Sequence, residues 1–271
     1  MTKPTVLKPP VELKTLRVRE LGTVLAIELN MPGQGNVVTD AMLDDLQAVL
    51  DRQEPDIRAV VLAGAGEDFC VGGDRTEHAE SLLLDPAGGG VRASGHKARR
   101  VCESLASNPA VTIARIHGKA IGAGLALALA CDLRVAADTA TFRLPELAFG
   151  LPAAWGGLLP RLLSEIGPAC ARELILTGRS FDAAEALSLS LLQKVVPASS
   201  LDAAVEGWIN PLLRRPATAL RVTKSLFNSY AAAARLADVS ALDPELMAAA
   251  MIETEQVRAN GAGFHRPHLS G

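Results

Sequence analysis

Apolar and polar residues alternate over Leu16–Glu20, and the mostly apolar run Thr23–Leu29 follows after Gly22, a pattern that predicts a β-hairpin. A longer period takes over at Thr39–Arg52. There Met42, Leu43, Leu46, Val49 and Leu50 recur at helical spacing behind Thr39, a good N-cap. The β-branched run Arg58–Ala63 ends at Gly64 and reads as a buried strand. A polar helix is expected over Gly95–Ser107, with strands at Val111–Ile116 and Leu133–Ala137. Beyond Phe181 the pattern turns helical: a segment started by Asp182, then Leu201–Leu213, Ala217–Ala234 and Pro244–Ala259. Strand, loop and helix recur in turn, which predicts stacked ββα-like units, not two independent domains.

The segment Leu84–Ser94 carries three consecutive glycines and reads as a loop, either a surface excursion or a mobile lid beside a site. The N-terminal MTKPTVLKPPVELKTL is polar and proline-bearing, without the apolar run of a signal peptide. The longest apolar stretch, Ala123–Ala130, is too short to cross a bilayer, so a cytoplasmic protein with no membrane partner is expected. In 271 residues, 49% are hydrophobic but only 3% aromatic, so alanine and leucine must fill the core. A net charge of −3 gives no reason to expect a nucleic-acid partner. The basic cluster from His96 to Arg100 reads as a solvated helix face. Cys70, Cys102, Cys131 and Cys170 are widely spaced, with no CxxC pair, and read as small buried residues; no metal site is expected.

The chemistry concentrates in Ile116–Glu146, IHGKAIGAGLALALACDLRVAADTATFRLPE. A tight glycine turn before a small-residue helix leaves backbone N–H groups free where negative charge can be held. Glu146, downstream, supplies a carboxylate for proton transfer. Together they read as an enolate-stabilising site.

Six segments in order extend this pattern: LNMPGQGNVVT, RAVVLAGAGEDFCVGGD, PAVTIARIHGKAIGAGLALALACDLRVAAD, FRLPELAFGL, GGLLPRL and LTGRSFDAAEALSLSLLQKVVP. In these the chain resembles the crotonase (enoyl-CoA hydratase/isomerase) superfamily over about residues 14–260. The resemblance implies an α/β, crotonase-like spiral of stacked ββα units at 14–200. A helical trimerisation region at 201–260 and a tail at 261–271 would follow. It implies a homotrimer or hexamer acting on an acyl-CoA or acyl-carrier thioester, with coenzyme A as part of the substrate and no other cofactor. The oxyanion hole would be the N–H groups of Gly73, within Val71–Gly72–Gly73, and of Ala123, after Gly122. Many relatives have glycine at the latter place; alanine keeps the same donor.

The resemblance also marks a departure. The first of the two carboxylates of a hydratase is replaced by Ala126, and only the second, Glu146, remains. One base can move a double bond from the β,γ to the α,β position, whereas hydration shares its work between two. The pattern therefore favours a 3-enoyl to 2-enoyl isomerase. Enoyl-CoA hydratase, malonyl-type decarboxylase and a non-catalytic acyl-CoA-binding protein are the alternatives. An RNA-binding relative would need a strongly basic face, which a −3 chain does not provide. Asp74 reads as a loop hydrogen-bond acceptor and His117 as a structural histidine. His78 faces either the pocket or solvent, and Trp155 is an acyl-pocket wall or a core aromatic. Gln34, Asn36 and Arg75 are the candidate CoA contacts, with Lys224 at a family position near the phosphates.

Overall fold

The computed structural model describes residues 13–234 and 238–259. The expected hairpin is present: β1 (Leu16–Leu21) and β2 (Val24–Leu29) run antiparallel across Gly22. The Thr39 side chain accepts from Met42 N at the start of α1 (Asp40–Asp51), which buries the five apolar residues of its stripe. Next come β3 (Ala59–Gly64), α2 (Arg75–Leu84), α3 (Gly89–Ala106) and β4 (Val111–Ile116). After them lie β5 (Lys119–Ile121), α4 (Ala123–Leu129), β6 (Leu133–Ala137) and β7 (Thr141–Arg143). The chain then forms α5 (Leu158–Thr177), β8 (Ser180–Asp182), α6 (Ala183–Ser188) and β9 (Lys194–Val196). Three helices close the described chain: α7 (Leu201–Arg214), α8 (Ala217–Ala234) and α9 (Asp243–Ala259). The N-terminal residues 1–12 and the 261–271 tail lie outside the described residues.

Six strands form one sheet in the order β1-β2-β3-β4-β6-β9, parallel from β2 onward. A parallel sheet must be covered on both faces, and β3, β4 and β6 are accordingly apolar almost throughout. The small sheet β5-β7-β8 stands beside it. Its strands have three residues each, too short for an alternation to be seen in sequence. One large apolar cluster joins the sheet to α1, α3, α4 and α5, with alanine at many of its closest contacts. Burial pushes the thiols of Cys70, Cys102 and Cys131 up to about 12, so they are inert fillers of this core. No described helix is long and apolar enough to cross a membrane.

Two expectations are corrected. The loop expected at Leu84–Ser94 shrinks to a tight turn, because α3 already begins at Gly89 instead of Gly95. Asp85 holds that turn by accepting from Ala87 N and Gly89 N. The glycines are there for proximity: a Cβ on Gly90 would overlap Ser81 Oγ, and one on Gly88 would stand 3.0 Å from Ile252 of α9. The run thus locks helices together and forms no lid. The basic cluster is only partly solvated, since Lys97 reaches Asp40 at 3.0 Å and Asp44 at 2.8 Å on α1.

A very close backbone approach joins α4 to the first loop at Gly124. A Cβ there would overlap Cys70 O and stand 2.7 Å from Cys70 Cβ and 2.9 Å from Cys70 Sγ. Gly124→Ala should therefore lower the unfolding free energy in urea by roughly 1–3 kcal/mol. Gly33→Ala, whose methyl would meet nothing within 4 Å, is the control and should change little.

Candidate active site

Two loops meet at the C-terminal edge of the sheet. The first follows β3 and is pinned from both sides. Val38 N donates to Gly72 O at 2.8 Å and Asp74 N donates to Val38 O at 2.9 Å, in an isolated parallel bridge between Val38 and Gly73. That geometry turns the N–H of Gly73 away from Val38. It has no acceptor among the described residues. Gly72, at φ 111, has a conformation that side chains rarely adopt, and Val71 N is fixed to Gly35 O at 3.0 Å. The second loop enters α4. Gly122, at φ 50, donates its N–H to Arg143 O, and Ala123 opens the helix with an N–H that precedes any intrahelical acceptor. Ile121 N donates to Cys70 O at 3.0 Å and ties the two loops together.

Glu146 lies against the second loop. It starts a short 3-10 turn, Glu146–Phe149, and its Oε1 is 3.0 Å from where a Cβ on Gly122 would stand. The residue is buried, and Oε2 has no hydrogen-bond partner among the described residues. Burial raises its pKa from 4.5 to about 7, opposed only weakly by its own backbone N–H. A carboxylate poised near neutrality beside two free N–H groups can take a proton from carbon while the resulting oxyanion is held. Ala126, one helical turn beyond Gly122, is buried and contributes no titratable group.

The other candidates separate into those that reach this place and those used elsewhere. His78 of α2 comes to it: its Cε1 is 3.6 Å from a Cβ built on Gly73. Burial lowers its pKa, against the pull of Asp40 and Asp74. Trp155 packs against both apolar clusters, as a core aromatic does, and also lines a small cavity with His78. Asp74 accepts from Thr76 N and Glu77 N as the cap of α2, and His117 Nε2 pairs with Gly66 O, so both are structural as expected. Gln34 and Arg75 are exposed, and the Arg75 guanidinium lies 4.2 Å from the centroid of the Phe149 ring.

Asn36 and Lys224 are not available to a ligand. Asn36 is fully buried at φ 55, its Oδ1 accepting from Met31 N and its Nδ2 donating to Ala65 O and Asp68 O. It staples the loop that carries Gln34 to the one that leads to Gly73. Lys224, also buried, donates to Ala110 O at 2.8 Å and pairs with Asp132 at 2.7 Å. Its ammonium anchors α8 to the sheet instead of reaching phosphates.

Comparison with known proteins agrees with this construction. A family model described as Enoyl-CoA hydratase/isomerase matches residues 19–266. The chain belongs to that family, the crotonases. It is 34% identical to the Mycobacterium tuberculosis protein named "Probable enoyl-CoA hydratase echA8", over 79% of this chain and 81% of that one. It is 31% identical to the Short-chain-enoyl-CoA hydratase of Clostridium acetobutylicum, over 80% and 82%. Among solved structures, Pseudomonas aeruginosa AtuE superposes with a TM-score of 0.76 at 32% identity, covering 80% of this chain and 83% of that one. A Thermobifida fusca YX structure in complex with acetoacetyl-CoA gives 0.73 at 30% identity, covering 91% and 95%. The α/β fold with two sheets and C-terminal helices is therefore the crotonase fold, and the protein is an enzyme of the enoyl-CoA hydratase/isomerase family.

The buried pairing of Lys224 generates a test. Lys224→Met should cost roughly 2–3 kcal/mol in urea unfolding, because it leaves Ala110 O unpaired and removes the cation beside Asp132, which keeps only its bonds from Thr112. CoA affinity of the folded variant, measured by calorimetry, should stay within about twofold.

Proposed function

We propose that this protein is a single-base isomerase of acyl-CoA thioesters that converts 3-enoyl to 2-enoyl groups. The observation that carries the reading is Glu146: a lone buried carboxylate with a pKa near 7, beside Gly122 and the N–H of Ala123, with Ala126 where a second acid would stand. In the proposed reaction the thioester oxygen accepts from Gly73 N–H and Ala123 N–H. Glu146 removes the α proton, and the electron pair passes into the carbonyl to give a dienolate. The same carboxyl then returns the proton at Cγ, leaving the double bond between Cα and Cβ. Each backbone donor is typically worth about 2.7–4 kcal/mol in a site closed to water. The Thermobifida relative's acetoacetyl-CoA complex supports CoA as the carrier, with exposed Gln34 and Arg75 as its contacts here.

The relatives' hydratase names favour a second reading, hydration, which would need another group to orient water. The ratio of the two rates in the unmodified enzyme decides between them. Isomerisation of 3-hexenoyl-CoA should exceed hydration of crotonyl-CoA by at least about tenfold, and dominant hydration would overturn the single-base reading. Glu146→Gln should reduce isomerisation by about 10²–10⁴-fold with CoA binding retained. Because the base must be ionised, the rate should rise with pH through about 7. Stability has the opposite trend. Between 4.5 and about 7 the folded state holds a proton that the unfolded state has lost, so stability falls as pH rises. Glu146→Gln should thus raise Tm more at pH 8 than at pH 4.

We infer a homotrimer or hexamer from the surface of α8. Val222, Leu226 and Tyr230 recur every fourth residue beside Phe227, with Phe227 and Tyr230 70% and 74% exposed. A stripe of that kind is more apolar surface than a monomer usually shows. Light scattering should give three or six chains per particle at micromolar concentration, and a stable monomer would refute it.

A further inference from the structure

A small cavity beside the donor loops takes no part in the proton chemistry above. It has a volume of about 10 Å³, room for roughly one water molecule, and opens between α2, α3, α9 and the segment before α5. Val91, Met247 and Trp155 make its apolar wall, and His78, Ser94 and Asp243 its polar one. Asp243 is occupied, since Oδ2 accepts from Gly157 N at 2.9 Å. The other two are not. Ser94 is 7% exposed, and neither its hydroxyl nor the His78 imidazole makes a hydrogen bond among the described residues. Both polar groups are therefore free to bond a ligand that enters the cavity.

The position of His78 connects this cavity to the reacting centre. Its ring touches the space above Gly73, the first oxyanion donor, and also borders the cavity. His78 is therefore the side chain that the donor loop and the cavity share. We propose that the enzyme selects short acyl thioesters that carry a neutral hydrogen-bonding group, a hydroxyl or a carbonyl, at the far end, read by His78 and Ser94. This rests on the acyl-thioester reading of the same site. The volume excludes a long saturated tail. The Asp243 carboxyl in the wall disfavours a terminal carboxylate, because two like charges would be enclosed together. Burial keeps His78 neutral, so one ring nitrogen donates and the other accepts.

The test is equilibrium binding by calorimetry of saturated thioesters, which undergo no isomerisation or hydration. 4-Hydroxybutyryl-CoA and pentanoyl-CoA have the same number of heavy atoms and differ only in a terminal hydroxyl against a methyl. The hydroxy compound should bind at least about tenfold more tightly, as one well-made hydrogen bond in a dry pocket allows. Octanoyl-CoA should bind more weakly than both. Ser94→Ala and His78→Phe should each bring the hydroxyl preference to within about threefold, with free CoA binding unchanged. Equal or tighter binding of pentanoyl-CoA, tighter binding of octanoyl-CoA, or a preference that survives in both variants would overturn the proposal. The wild-type comparison decides by itself if either variant fails to fold. Failure of CoA and all three thioesters to bind would instead overturn the acyl-thioester reading beneath it.

Discussion

Two backbone N–H groups can serve as an oxyanion hole only if secondary structure leaves both unpaired and two distant loops approach almost backbone to backbone. The contacts around Gly73 and Ala123, the proposed donors, meet that demand. Gly124 permits it, because any side chain there would run into Cys70 at the foot of the first loop. Two isolated bridges, Val38 to Gly73 and Cys70 to Ala120, fix the loops without using the donor N–H groups. Asn36 adds a third constraint by tying Met31, Ala65 and Asp68 through one side chain. The parallel sheet supplies the platform, since the C-terminal ends of β3 and β4 both deliver chain to the same edge.

Helix α2 carries the same logic outward. Asp74, directly after the proposed donor Gly73, caps it, so the loop and the helix axis are set by one residue. Four residues later, one helical turn on, His78 is returned to the donor it left. Glu77, on the next face, accepts from Asp40 N and joins α2 to α1. Lys97 from α3 neutralises Asp40 and Asp44 in turn. The histidine is therefore positioned by charged contacts on three helices, although it takes part in none of them.

Much of this was readable in the sequence, and what was not has identifiable causes. The hairpin follows from its turn glycine, α1 from a period of 3.6 and an ordinary cap, and the strands β3, β4 and β6 from short apolar runs. The strands β5, β7 and β8 are too short to show any period. The glycine run at 88–90 looked like a loop because composition does not distinguish freedom from proximity, and here the glycines are needed where helices touch. Asn36 and Lys224 were candidate ligand contacts because the family resemblance places the nucleotide near those positions, and a position does not record where a side chain turns. Their partners are backbone carbonyls brought near only by the fold. Glu146 was found from its motif, but its displaced pKa depends on enclosure, which no motif records. His78 was a pocket candidate from its place after the first glycine loop, but Ser94 gave no signal, since a serine is ordinary on a polar helix.

Burial sets Glu146 close to the acidity of its surroundings, at about 7. A group in that condition releases a proton as readily as it captures one, and both forms are present in similar amounts at rest. In the proposed isomerisation both directions begin with the ionised carboxylate, so near neutral pH roughly half of the enzyme is ready to take a proton from either thioester. Acidification then slows the two directions alike, and net flux is left to the relative concentrations of the two thioesters.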